Sequence, residues 1–228
     1  MTIKHHISDD FLLEYAAGTL SEGWSLGVAS HLALCPECRE RLAAMEGAAG
    51  ALLDKIDATS PGGSEEDAWA RMKGRLGEIR VEEVLRDAPA PSAALATAGP
   101  QGVLPEPLRS YVGGDIHEVK WRALGRGAYQ ILIDTGDRTT QTRLLRIPAG
   151  KPVPEHTHQG RELTLVLSGS FRDEVDRFGR GDVEEADGSL LHQPKADEDQ
   201  DCICLAVTEA PLKFSSWIVR LVQPILKI

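Results

Sequence analysis

Residues 150–169 read GKPVPEHTHQGRELTLVLSG, and their spacing decides how the second half of the chain folds. His156 and His158 stand two apart. Successive side chains of a strand alternate faces, so both imidazoles point to one side. Glu162 opens the next apolar run, Leu163–Leu167, and can return to the same centre. Gly150 and Gly169 bracket the segment where turns are needed. His192, further on, supplies a third imidazole. Three imidazoles and a carboxylate are borderline ligands that suit Zn, Fe(II), Mn or Ni, and spacing does not choose among them.

The residues around this stretch alternate with period two. Candidate strands lie at Ile116–Trp121, Tyr129–Asp134, Thr142–Ile147, Leu163–Leu167, Phe171–Val175, Cys202–Val207 and Phe214–Val222. Many short strands at close spacing predict an antiparallel sandwich or barrel. Written as G-x5-H-x-H-x3-E-x6-G, residues 150–169 resemble the first cupin motif throughout. The second motif, usually G-x5-P-x-G-x2-H-x3-N, is matched at Gly181 and His192. Asp187, Ser189 and Ala196 stand at its proline, glycine and asparagine positions. The resemblance implies a cupin barrel with a metal at His156, His158, Glu162 and His192. Within the run DCICLAV, Cys202 and Cys204 fall on one face of a strand with Ala206, and Ile203, Leu205 and Val207 on the other. Two such thiols are a candidate redox pair or two small buried residues, and parallel side chains strain a disulfide between them.

Residues 88–107, APAPSAALATAGPQGVLPEP, hold five of the 13 prolines and read as a linker. Before them the pattern is helical. Ser8 can cap a helix opening on Asp9-Asp10, with Gly18 as its stop. A second helix runs from Glu22 to Leu34, with Trp24, Val28 and Leu32 on one side. Pro36 can start a third. Ser64 with Asp67 opens a fourth, bearing Trp69, Met72, Leu76, Ile79 and Leu85. So small a helical core predicts help from a metal or a partner.

That helical region contains SHLALCPECRE. His31 and Cys35 lie one helical turn apart, and Cys-x2-Cys lets Cys35 and Cys38 reach one ion. The set suits tetrahedral zinc, with His5 or His6 as the fourth ligand. The H-x3-C-x2-C run and the opening HHISDDFLLEYAAGTLSE resemble the zinc-binding anti-sigma domain, which implies His6, His31, Cys35 and Cys38 as ligands. That domain, the linker and the cupin with its Cys-x-Cys together resemble the ChrR family along the whole chain. The resemblance implies an anti-sigma factor that holds a group IV (extracytoplasmic-function) sigma factor in a 1:1 complex. It implies release in response to singlet oxygen or related oxidants sensed through the cupin.

The expected fold is thus multidomain α + β: a four-helix zinc domain (1–87), a linker (88–107) and an antiparallel cupin barrel (108–228). Zinc is expected in the first site, and a divalent ion, zinc foremost, in the second. The apolar stripe Trp69, Met72, Leu76 and Ile79 is the candidate partner face. The net charge of −10 argues against nucleic acid as a direct ligand and suits a basic protein partner. Residues 1–90 carry much of it, with 9 Lys and Arg against 16 Asp and Glu. No apolar run reaches the ~20 residues of a membrane span, and a cytoplasmic protein is expected. A regulator rather than an enzyme is the reading taken; a dioxygenase-like cupin enzyme with a regulatory zinc module is the alternative.

Overall fold

The computed structural model describes residues 2–56, 64–78, 102–125, 127–209 and 213–214. Among them run five helices: α1 (Asp9–Ala16), α2 (Glu22–Leu34), α3 (Pro36–Leu53), α4 (Glu65–Glu78) and α5 (Glu106–Val112). The strands are β1 (Arg122–Gly125), β2 (Ala128–Ile133), β3 (Gln141–Ile147), β4 (His156–Thr157), β5 (Glu162–Ser168) and β6 (Ser170–Arg172). They continue with β7 (Arg177–Gly179), β8 (Val183–Ala186), β9 (Leu191–His192), β10 (Lys195–Ala196), β11 (Cys202–Thr208) and β12 (Lys213–Phe214). Two compact units emerge, Met1–Ala48 with Gly102–Ile228, and Ala49–Gln101. The first three helices therefore belong largely with the sheet, which differs from the expected grouping of residues 1–87.

Six strands pair in the order β1-β2-β3-β11-β5-β8, with two three-stranded sheets, β10-β6-β7 and β12-β4-β9. All pairings are antiparallel. Among the described residues no sheet closes on itself, so the expected barrel is seen as three separate sheets.

β11 lies between β3 and β5 and shows how the core divides. Ile203, Leu205 and Val207 join a core cluster with Leu163, Leu165, Phe11, Leu12, Trp24, Val28 and Leu32. Cys202 and Cys204 face the other way, into a cavity. α1 and α2 thus cover the Ile203, Leu205 and Val207 face of the sheet. α2 touches α1, α5, β5 and β11, so Leu26 is buried as well as the expected Trp24, Val28 and Leu32. A helix packed on several sides is apolar on several sides. Gly27 makes the approach possible: a Cβ there would come within 3.3 Å of Leu163 and 3.4 Å of Val207.

Other differences have local causes. Ile116–Trp121 is a turn rather than a strand, because the Asp115 carboxylate accepts the amides of Val103, Leu104 and Ile116. Those bonds also draw the end of the expected linker into the fold, where Leu104 and the unforeseen α5 residue Leu108 are buried. β6 stops at Arg172 because Asp173 Oδ1 accepts the Val175 and Asp176 amides and turns the chain. Ser8 makes no side-chain cap; its amide instead donates to Glu185 at 2.7 Å. Ser64 does cap α4, through the Asp67 amide at 3.1 Å. Residues 79–101, with Ile79, Leu85 and most of the expected linker, lie outside the described residues, as does the strand expected beyond Phe214.

Candidate metal centres

The end of α2 and the start of α3 bring His31, Cys35 and Cys38 together, and the segment before α1 adds His6. Their ligand atoms lie within 4.8 Å of one another. His31 Nε2 is 3.2 Å from Cys38 Sγ, and His6 Nδ1 is 3.3 Å from Cys35 Sγ and 3.6 Å from Cys38 Sγ. Tetrahedral zinc, with bonds of about 2.0–2.1 Å to nitrogen and 2.3 Å to sulfur, sets an N···S edge of about 3.6 Å. The donor set fits such an ion. His6, rather than its neighbour, completes the set; the His5 ring turns to Asp176 at 3.2 Å and to the ring of Phe178.

The surroundings fix how each histidine points. The Gly181 carbonyl can only accept, so the 2.9 Å contact with His31 Nδ1 makes that nitrogen the donor and leaves Nε2 for an ion. His6 has its Nε2 3.4 Å from Glu37 and turns Nδ1 toward the cysteines. Burial pulls His31 down to about 4, keeping the imidazole neutral. It pushes the Cys38 thiol up to about 11, with Cys35 adding to the effect. A buried thiolate pair here needs a cation beside it.

The second centre lies inside the sheets. β4 pairs with β9 so that His156 and His192 are directly opposite. His192 Nε2 is 3.2 Å from both His156 Nε2 and His158 Nε2. Two ring nitrogens on one ion, each about 2.0–2.1 Å away, stand about 2.8–3.4 Å apart at octahedral or tetrahedral angles. The remaining nitrogens hold the rings in place. His156 Nδ1 donates to Pro154 O at 2.8 Å, and His192 Nδ1 to Asp173 at 2.8 Å with Glu184 at 3.3 Å. Burial lowers His156 to about 4. It works the same way on His192, but Glu184 and Asp173 outweigh it and raise that ring to about 9. Glu184 is itself raised to about 7 by burial, with Asp173 beside it.

Glu162 departs from the expected ligand geometry. Its Oε2 lies 3.2 Å from Nδ1 of His158, behind that ring, and its Oε1 accepts from Thr164 Oγ1 at 2.9 Å. The candidate ligand group here holds the three histidines without Glu162, and a second group sharing His192 holds Asp173 and Glu184. Asp173 and Glu184, which steady His192, were not foreseen from the sequence. Asp173 follows β6 and Glu184 lies within β8, and no motif marks either. The altered second motif closes by another route, with Asp187 accepting the Ser189 amide and hydroxyl at 2.8 and 2.6 Å.

His156 and His192 open on a cavity of about 70 Å³ whose wall includes Leu145, Ile147, Phe171, Glu162, Cys202 and Cys204. Both thiols are buried and unpaired. The Cys202 neighbour and burial push Cys204 well above the usual thiol range. On α4, Trp69, Met72 and Leu76 are each more than half exposed, with Lys73 Nζ over the Trp69 ring at 5.6 Å.

Comparison with known proteins places these features. Residues 110–211 match the family model of the ChrR cupin-like domain. The anti-sigma-E factor ChrR of Cereibacter sphaeroides is 48% identical over all 228 residues, the full length of both chains. The crystal structure of Rhodobacter sphaeroides SigE in complex with the anti-sigma ChrR matches with a TM-score of 0.71 at 45% identity. It covers 91% of this chain and 99% of that one. Two metal-competent centres on a helical segment and a cupin-like sheet, with full-length identity of this order, show that the chain belongs to the ChrR family of anti-sigma factors.

Proposed function

We propose that this protein is a cytoplasmic anti-sigma factor, not an enzyme. It sequesters a group IV sigma factor 1:1 and releases it when the cupin centre meets an oxidant such as singlet oxygen. The observation that carries the reading is the closed, largely buried set His6, His31, Cys35 and Cys38 in a chain 48% identical throughout to an anti-sigma factor. Zinc is the ion assigned to that set. When bound it supplies a fixed crosslink between the N-terminal segment, α2 and α3. The four-helix module over residues 1–87, joined through residues 88–107 to a cupin barrel over 108–228, is the functional division within this proposal. A second divalent ion, zinc again, is assigned to His156, His158 and His192, with Glu162, expected as a fourth ligand, instead behind His158 and orienting its ring.

The chain's own residues do the regulatory work. Trp69, Met72 and Leu76 recur along one face of α4, with Ile79 continuing the series, and this face is assigned to the sigma factor. The acidic first ninety residues favour a basic partner, and no direct contact with DNA is needed. No described helix is long and apolar enough to cross a membrane. Cys202 and Cys204 share the cavity with His156 and His192 and are assigned as the oxidisable pair. The cavity is small beside the ~300–1,000 Å³ of usual substrate pockets, which favours a small oxidant over an enzyme's organic substrate.

The test is capture from lysate of the source organism by the tagged full chain, beside a Cys35→Ser/Cys38→Ser variant. Recovery of a sigma factor only with the intact cysteines is expected. Equal recovery by both chains refutes zinc dependence, and recovery of none by a folded, metal-loaded chain refutes the function.

A further inference from the structure

One short stretch of chain touches both metal centres. Gly181, just before β8, gives its carbonyl to His31 Nδ1 at 2.9 Å. Asp182 follows, and its Oδ1 accepts the amides of Lys4 at 2.6 Å and His5 at 3.0 Å. The Val183 amide donates to the His5 carbonyl at 3.1 Å. These bonds clamp the residues that precede His6. Glu184, next along β8, lies 3.3 Å from Nδ1 of His192, on the cupin side. Two ligands of the first centre and one of the second are thus held from four consecutive residues, Gly181–Glu184.

The stretch is well braced. The Gly181 amide donates to Val166 O at 2.8 Å, and Val166 N to Asp182 O at 3.0 Å. Asp182 Oδ2 accepts the Gly179 amide at 2.8 Å, and the Asp182 side chain is almost fully buried. Gly181 has φ +91°, and a Cβ there would meet Ile3 at 2.6 Å. Its glycine matches the second cupin motif, but here it lets the N-terminal segment pass against the turn. A continuous bonded path therefore runs from Glu184 beside His192 to the contacts on His31 and on the residues before His6.

We propose that Gly181–Glu184 is a positioning strap through which occupancy of the cupin centre sets how tightly the His6/His31/Cys35/Cys38 centre holds its ion. The inference rests on reading both clusters as metal centres, and it deepens the proposed function by naming how its sensor reaches its clamp. Coupling of this kind is reciprocal, so each ion strengthens the hold on the other.

The experiment uses the full chain loaded with Co²⁺. Thiolate-to-cobalt charge-transfer absorbance, assigned by its loss in Cys35→Ser, follows the first centre alone. Its decay is timed after adding excess chelator. Positioning groups behind metal ligands are worth about 10- to 100-fold in affinity, so Asp182→Ala should speed the decay by that factor, and Asp182→Asn by less. Emptying the cupin centre with His158→Ala should speed it about 5-fold or more, and should add nothing further in an Asp182→Asn chain. Far-UV circular dichroism screens for folding, and Asp182→Asn, nearly the same shape, serves if the alanine variant does not fold. Equal decay with and without His158→Ala, or folded Asp182 variants decaying like the parent, overturns the strap. Sigma-factor capture is scored on the same samples. Coupling without capture leaves the strap standing and removes the anti-sigma reading; capture without coupling does the reverse.

Discussion

Cys38→Ser separates two accounts of what holds the N-terminal helices in place. A small helical domain read from sequence needs its metal to fold. The structure gives α1 and α2 a second support, the outer face of the sheet. Phe11, Leu12, Trp24, Leu26, Val28 and Leu32 are all buried there, none more than 7% exposed. At about 2 kcal/mol for each large apolar side chain removed from water, their burial is worth on the order of 10 kcal/mol before chain entropy is subtracted. That matches the scale of a structural zinc, about 10–16 kcal/mol in isolated fingers. Cys38 is fully buried, so a serine there loses the ligand and places a hydroxyl among apolar neighbours.

The expected outcome is loss of the cobalt charge-transfer band with the helices still docked. A net loss of a few kcal/mol, at about 2–4 °C for each in a chain of this length, lowers Tm by about 10 °C. Hydrogen exchange supplies the decisive reading. Amides of Trp24–Leu32 should stay protected by about 10³-fold or more in Cys38→Ser, the protection that about 4 kcal/mol of local stability confers. Exchange of those amides at the rate of an unfolded peptide refutes the reasoning, because the metal alone would then be holding α2 on the sheet.

Three further outcomes follow from the geometry. Leu205→Ala, at a fully buried position between α2 and the sheet, should cost about 2–5 kcal/mol in urea unfolding. Met72→Asp should abolish sigma-factor capture with no change in Tm, since Met72 is more than half exposed; a lowered Tm with capture retained places the stripe in a core instead. Burial alone would raise the Asp197 carboxyl, but Ser170, Arg172 and Arg177 outweigh it and hold it at about 2. A carboxyl below its unfolded value of about 3.9 stabilises the fold above that pH and loses the contribution as pH falls toward 2. Asp197→Asn should therefore cost at most about 2 kcal/mol at pH 7, allowing for solvent around the half-exposed arginines, with the difference from the parent vanishing near pH 2.

The legible parts of the sequence were those with a fixed period or spacing. α2 and β11 were readable to within a residue, because apolar period and punctuation agreed. His31, Cys35 and Cys38 declared themselves through one helical turn and one Cys-x2-Cys step. His156 and His192 were readable as a pair only through the motif, since their meeting depends on the β4–β9 register, which no local pattern encodes. Glu162 was placed on the ion by its spacing, whereas its side chain turns back to His158 and Thr164. Choosing His6 over His5 required knowing that Asp176 and Phe178 would claim the latter. α5 was hidden because its prolines read as linker, although a proline at the first or second helical position is compatible with a helix start.

The domain division was the least legible feature, and the reason lies in the alternation of the sheet itself. Period two in β5 and β11 marks one face for the cavity, and the other face, Leu163, Leu205 and Val207, reads as the wall of an independent barrel. Nothing in those residues says that the cover is a helix from the opposite end of the chain. The partner signal is in α2, where Gly27 removes the side chain that would keep helix and sheet apart. A Cβ at Gly27 would stand 3.3 Å from Leu163 and 3.4 Å from Val207, so helix and sheet meet there in close contact. Since α2 carries His31 near its end, and the next residue after that helix but one begins the approach to Cys38, the sheet that walls the cupin cavity is also the floor on which the first metal centre is built. The two centres then share a packed layer as well as the proposed strap.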